Sequence, residues 1–189
     1  MNRLPIQISA AAYILLAVAI LILPLGWILA AITAAVFHEV FHLAAVYLCG
    51  GSVMGIAVGE RGAVISVAPM KPWKELICAL AGPLGGLLLL AFARYTPRIA
   101  VCAAFQSLYN LLPIYPLDGG RAVQCMAQIA FPKYFESICL AIEWICLIFM
   151  ACLSIYACFW LRLGLLPMFL CAVTILRKKP CKEGRLRLQ

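Results

Sequence analysis

The chain has 189 residues, of which 66% are hydrophobic and 12% charged, and its mean hydropathy is +1.06. A water-soluble domain of this size has too few charges to cover so much apolar surface, so the composition points to a polytopic membrane protein solvated by a bilayer. The formal charge of +8 is not a nucleic-acid signature: six of the fifteen lysines and arginines lie in the tail RKKPCKEGRLRLQ, which reads as a cytoplasmic anchor beside anionic lipid.

A membrane span needs about 20 apolar residues at about 1.5 Å rise each. In chain order, the apolar runs predict six spans, at residues 7–23, 27–49, 73–93, 98–118, 135–159 and 161–176. The first run is followed by no polar stretch or small-residue cleavage site, so it is expected to be a retained span rather than a signal peptide. PLGW (24–27) breaks the chain between the first two spans. With six spans, twelve of the fifteen basic residues fall on the side of the termini, which predicts both termini in the cytoplasm. The ten cysteines are scattered singly, with no Cys-x-x-Cys pair, so neither a disulfide framework nor a thiolate metal site is expected.

Between spans two and three, GGSVMGIAVGERGAVISVAP (50–69) has β-branched residues on both sides of GERG. It reads either as a small membrane-associated β-hairpin turning at Glu60–Arg61 or as a loop resting on the membrane surface. The expected fold is thus an all-α polytopic membrane protein, 1–189, of about six transmembrane helices carrying that hairpin. No appended soluble domain is expected.

Span two contains FHEVFHLAAVY (37–47), which fits H-E-x-x-H. Positions i and i+4 share one helix face, so His38 and His42 can bind one metal ion, and Glu39 is offset to where a general base for an activated water belongs. Three polar side chains in hydrocarbon are costly, and these are the only two histidines in the chain. Two histidines leave a catalytic zinc short of a third protein ligand. Asp118, in YNLLPIYPLDGGR (109–121), is the acid favoured for that place, its competing reading being an interfacial turn acid before Gly119–Gly120. Pro113 and Pro116 each remove a backbone donor and disrupt a helix there. Irregular backbone at membrane depth is tolerated only where protein buries it or water lines it. Glu143, in AIEWICLIF, is expected to snorkel, pair with Lys133 or an arginine, or be protonated, and is not assigned to the metal. Asn110 reads either as an interhelical contact or as a donor to an extended substrate or developing oxyanion.

HEVFH (38–42) followed by NLLPIYPLDGG (110–120), with AGPLGG (81–86) between them, resembles the site-2 protease family of intramembrane zinc metalloproteases. The resemblance covers about residues 27–121, which would be the catalytic core, leaving 122–189 as two further spans and the basic tail. It implies one Zn2+ per chain, held by His38, His42 and Asp118, with Glu39 as catalytic base and Asn110 and Pro113 on the substrate. Gly86 stands where members of the family often carry an asparagine.

Small size and the hairpin look most like the sporulation-type branch, which processes a sigma-factor precursor. The PDZ domain and the C-terminal nucleotide-sensing domain of some members have no counterpart here. The implied substrate is a membrane-associated regulatory protein in a bacterial cell membrane, a sigma-factor precursor or an anti-sigma factor. A regulatory membrane protein or a second copy of the chain is the other partner implied. Two rival classes use the same residues: a divalent metal transporter, and a catalytically inactive scaffold of the same fold.

Overall fold

The structure is a computed structural model and describes residues 6–8, 10–59, 62–160 and 166–177. It forms two compact units, Met1–Asn110 and Leu111–Gln189.

The first unit runs β1 (Ile6–Ile8), α1 (Ala10–Ile22), α2 (Leu25–Leu48), β2 (Val53–Gly59), β3 (Gly62–Val67), α3 (Pro72–Leu88), a 3-10 turn (Leu89–Phe92) and α4 (Pro97–Asn110). Helices α2, α3 and α4 pack on one another in pairs. On α2 the buried positions Ala30, Ala34, His38, His42 and Ala45 recur three or four residues apart, while Leu29, Ile32, Val36 and Val40 face outward. Ile28 and Val46, towards the two ends of α2, are buried as well, but between them the inner face is small or polar and the outer one aliphatic. That is the arrangement of a helix solvated by lipid, where packing rather than hydrophobic burial holds helices together. The buried residues of α3 (Cys78, Ala79, Gly82, Pro83, Gly85 and Gly86) and of α4 (Ala100, Ala103 and Ser107) follow the same rule.

Proline 24 caps the start of α2. Its end turns at Gly50, whose φ of +71° lies in the left-handed region that glycine adopts freely. The N–H of Gly51 returns to the Val46 carbonyl at 2.8 Å. The ammonium of Lys74 donates to the Cys49 carbonyl at 2.6 Å, a cation at the negative end of the helix.

The segment after α2 is a hairpin: β2 and β3 pair antiparallel, with Ile56 opposite Ile65 and Gly59 opposite Gly62. The expected turn residues, Glu60 and Arg61, lie outside the described residues, as does the basic tail from Lys178 onward. The sheet has three strands, not the two expected, in the order β1-β2-β3. Residues 6–8 pair parallel with 56–58, so the first predicted span begins as strand and its helix keeps only 13 residues.

The second unit starts with a loop, 111–117, followed by α5 (Asp118–Ala130), α6 (Phe135–Phe159) and α7 (Leu166–Arg177). Helix α6 packs on both α5 and α7, with Ala127, Phe135 and Cys139 clustered where α5 meets it. Glycines 119 and 120 let the first turn of α5 sit directly on the loop: a Cβ on Gly119 would strike the Leu111 and Leu112 carbonyls, and one on Gly120 the backbone of Ile114 and Tyr115.

Three described helices are long and apolar enough to cross a membrane: Leu25–Leu48, Pro72–Phe92 and Phe135–Phe159. The other three expected spans are short helices here. α1, α4 and α7 have 13, 14 and 12 residues. At about 1.5 Å per residue α1 and α4 fall short of the roughly 30 Å hydrocarbon core, while residues 161–165, the start of the sixth expected span, lie outside the described residues. The run 98–118 is divided because the prolines at 113 and 116 end α4 at Asn110, and helix resumes only at Asp118.

These two glycine sites predict different costs. Gly50→Ala meets no neighbouring atom, so it pays only backbone strain and lowers stability by about 1 kcal/mol. Gly119→Ala meets backbone that cannot swing aside and should be several times more damaging. Thermal unfolding of both variants in the same detergent checks the order; equal effects would contradict the seating of α5 on the loop.

Candidate metal centre

His38 and His42 sit one turn apart on the inner face of α2 and are 2% and 9% exposed. Their Nε2 atoms approach to 3.2 Å, with the rings nearly perpendicular at 81°. His42 Nδ1 donates to the Cys78 carbonyl of α3 at 2.7 Å. That bond fixes both the ring orientation and the tautomer, leaving Nε2 of the neutral imidazole as a lone pair. Asn110, the last residue of α4, holds its amide Nδ2 3.3 Å from His38 Nε2.

The two Nε2 atoms thus lie within reach of one shared hydrogen bond or one shared cation. Two nitrogens bound tetrahedrally to zinc at about 2.0–2.1 Å stand about 3.3 Å apart. The observed 3.2 Å fits that spacing, as it also fits an N–H···N hydrogen bond between the rings.

The close approach depends on α3. Gly82 lies under the His42 ring, and a Cβ there would overlap Nε2, Cε1 and Cδ2; Gly85 does the same for the Phe41 ring. The AGPLGG stretch is thus a seat for the metal-facing turn of α2, a role that its sequence alone did not disclose. Gly86, where an asparagine was the family expectation, faces α4: a Cβ there would overlap Ser107 Oγ. Glu39 is half-buried on the neighbouring arc of α2.

Asp118 and Pro113 belong to the second unit. Asp118 is the first residue of α5 and is buried, its carboxylate at the positive end of the helix; Pro113 is half-buried in the loop before it. The structure thus brings His38, His42 and Asn110 together in the first unit, with Asp118 and Pro113 close in sequence in the second.

Sequence reasoning missed the role of Glu143. It is 3% exposed, so it does not snorkel, and its Oε1 accepts the Tyr115 N–H at 3.1 Å. The signal available was a glutamate in a span of a chain whose 111–117 loop contains two prolines. None of the nine described cysteines forms a disulfide.

Substituting Gly82 by alanine should force His42 off the Cys78 carbonyl. Loss of such an orienting bond typically weakens metal affinity by about 10–100-fold. Zinc competition against a chromophoric chelator measures it; unchanged affinity in Gly82→Ala would show that His42 does not hold metal in this rotamer.

No family model and no curated protein sequence matches the chain. Among solved structures it is similar to the site-2 protease from Methanocaldococcus jannaschii, with a TM-score of 0.63 and 18% sequence identity, covering 95% of this chain and 93% of that one. The chain has a site-2 protease fold.

Proposed function

We propose that the protein is an intramembrane zinc metalloprotease. The observation that carries this reading is the pair of histidine Nε2 atoms meeting at 3.2 Å on the buried face of α2, with Glu39 beside them, on a protease fold. In this reading His38, His42 and Asp118 hold one divalent ion, each offering one ligand atom. When bound, the ion supplies Lewis-acid polarisation of a water molecule and of the scissile carbonyl.

The protein groups do the rest. Glu39 accepts a proton as the water oxygen bonds to the carbonyl carbon, then delivers it to the leaving nitrogen as the C–N bond breaks. The Asn110 amide, which reaches His38 Nε2, is placed to donate to the developing oxyanion or to an extended substrate strand. A helical substrate hides its carbonyls in its own hydrogen bonds and must be unwound first. β2 is paired on both sides, so β1 and β3 are the edges of the sheet, and in this reading an unwound segment adds to one of them. Pro113 is a further substrate contact in this reading.

The substrate class is a membrane-associated regulatory protein, such as a sigma-factor precursor or an anti-sigma factor. The sporulation-type branch, the catalytic core at 27–121, the bacterial cell membrane and the cytoplasmic termini rest on the sequence patterns described above. A metal transporter would need a path of intramembrane acids. Besides Glu39 the long apolar helices carry Glu75 and Glu136 in their first turns and Glu143 deeper in, and Glu143 accepts a backbone N–H.

Glu39→Gln tests the mechanism. In liposomes with single-span substrates, cleavage should fall by at least about 10²-fold, the range for removing a general base, while zinc content stays at wild type. Wild-type cleavage by Glu39→Gln would contradict the mechanism. Zinc-loaded wild type that cuts none of a broad substrate panel, but carries metal flux, would replace it with transport.

A further inference from the structure

A buried glutamate in an apolar helix must be held there by something, and in the second unit its partner is a loop. Residues 111–117 cross from α4 to α5 without regular structure. In such surroundings every N–H needs an acceptor. The Ile114 N–H goes to the Leu112 carbonyl at 2.8 Å and the Leu117 N–H to the Ile114 carbonyl at 2.9 Å. Pro116 has no N–H. Tyr115 does, and it donates to Glu143 Oε1 at 3.1 Å. Glu143 stands eight residues into α6, or about 12 Å of rise.

The other side of the same peptides is closed by α5. Gly120 lies against the Ile114–Tyr115 backbone and Gly119 against Leu111–Leu112, while Ile114 is 1% exposed. The Arg121 N–H bonds the Leu117 carbonyl at 3.0 Å, so the loop leads directly into the first turn of α5. A carboxylate from α6 and two glycines from α5 thereby fix the peptides immediately before Asp118.

We propose that Glu143 is a positioning residue for the metal site: through the Tyr115 N–H it fixes the loop that sets where the Asp118 carboxylate stands. The assignment rests on the reading of Asp118 as a ligand. Glu143 is two elements away from the ion and acts only through the loop. An acceptor oxygen is what the role requires, and an apolar side chain at 143 leaves the Tyr115 N–H unsatisfied and the loop free to shift.

The test is a double-mutant cycle on zinc affinity, read by chelator competition on the full chain in detergent. The single variants are Glu143→Gln, Glu143→Leu, Glu143→Ala and Asp118→Ala; the two apolar variants are also made in the Asp118→Ala background. Asp118→Ala should weaken zinc binding, leaving the affinity of the two histidines. Glu143→Leu and Glu143→Ala should weaken it by about 10–100-fold in the Asp118 protein, the range for losing an orienting partner, and by nothing further in Asp118→Ala. Glu143→Gln keeps an acceptor oxygen and should bind zinc as wild type does.

Equal losses in both backgrounds, or failure of both apolar variants to yield monodisperse protein in either, would make Glu143 a folding residue and overturn the proposal. So would wild-type affinity in the apolar variants when Asp118→Ala is weakened. If Asp118→Ala itself binds zinc normally, the ligand reading fails first, and the proposal falls with it for that separate reason.

Discussion

Two imidazole nitrogens facing each other at 3.2 Å in an apolar interior form the constraint around which the first unit is arranged. Such a pair keeps this geometry only if its rings are held. The Cys78 carbonyl fixes one ring, and the Asn110 amide lies against the other. Both partners come from the helices packed on α2, so the packing of α3 and α4 and the polarity of the site are one requirement. A shift of either helix by an ångström would cost a hydrogen bond at the site.

The requirement explains the choice of small residues. α3 can approach His42 and Phe41 only because Gly82 and Gly85 have no side chain. Elsewhere in a bundle such glycines would weaken a helix; here lipid gives no hydrophobic drive for association, and close backbone contact takes its place. The large aliphatic residues that a soluble protein would bury are on the outside of α2, where hydrocarbon is their solvent. The second unit meets a different difficulty, an irregular loop with two prolines, by pairing its remaining donor with a buried carboxylate.

Much of this was legible in the sequence where the signal is local. The i,i+4 spacing of His38 and His42 predicts a shared face, and that is where the rings meet. The limits of α6 follow from its uninterrupted apolar run, and the break after Asn110 from Pro113 and Pro116. Features that depend on distant partners were not legible. Three residues, Ile6–Ile8, are too few to signal a strand, and their partner lies fifty positions away. Helix α5 was not among the expected spans, and its first-turn glycines lie against the backbone of the preceding loop, a contact that a sequence does not display. Glu143 was recognised as out of place, but its partner is a backbone N–H, which leaves no trace in a sequence. The short α1 and α4 show that an apolar run measures solvent, not helix length.

Zinc K-edge X-ray absorption on the metal-loaded protein tests the central claim most directly, because it reads the donor atoms themselves. The account predicts a shell of nitrogen and oxygen at about 2.0–2.1 Å, with outer-shell scattering from two imidazoles. A sulfur shell at about 2.3 Å, which ten cysteines could supply, would contradict it, as would a protein that binds no zinc at all.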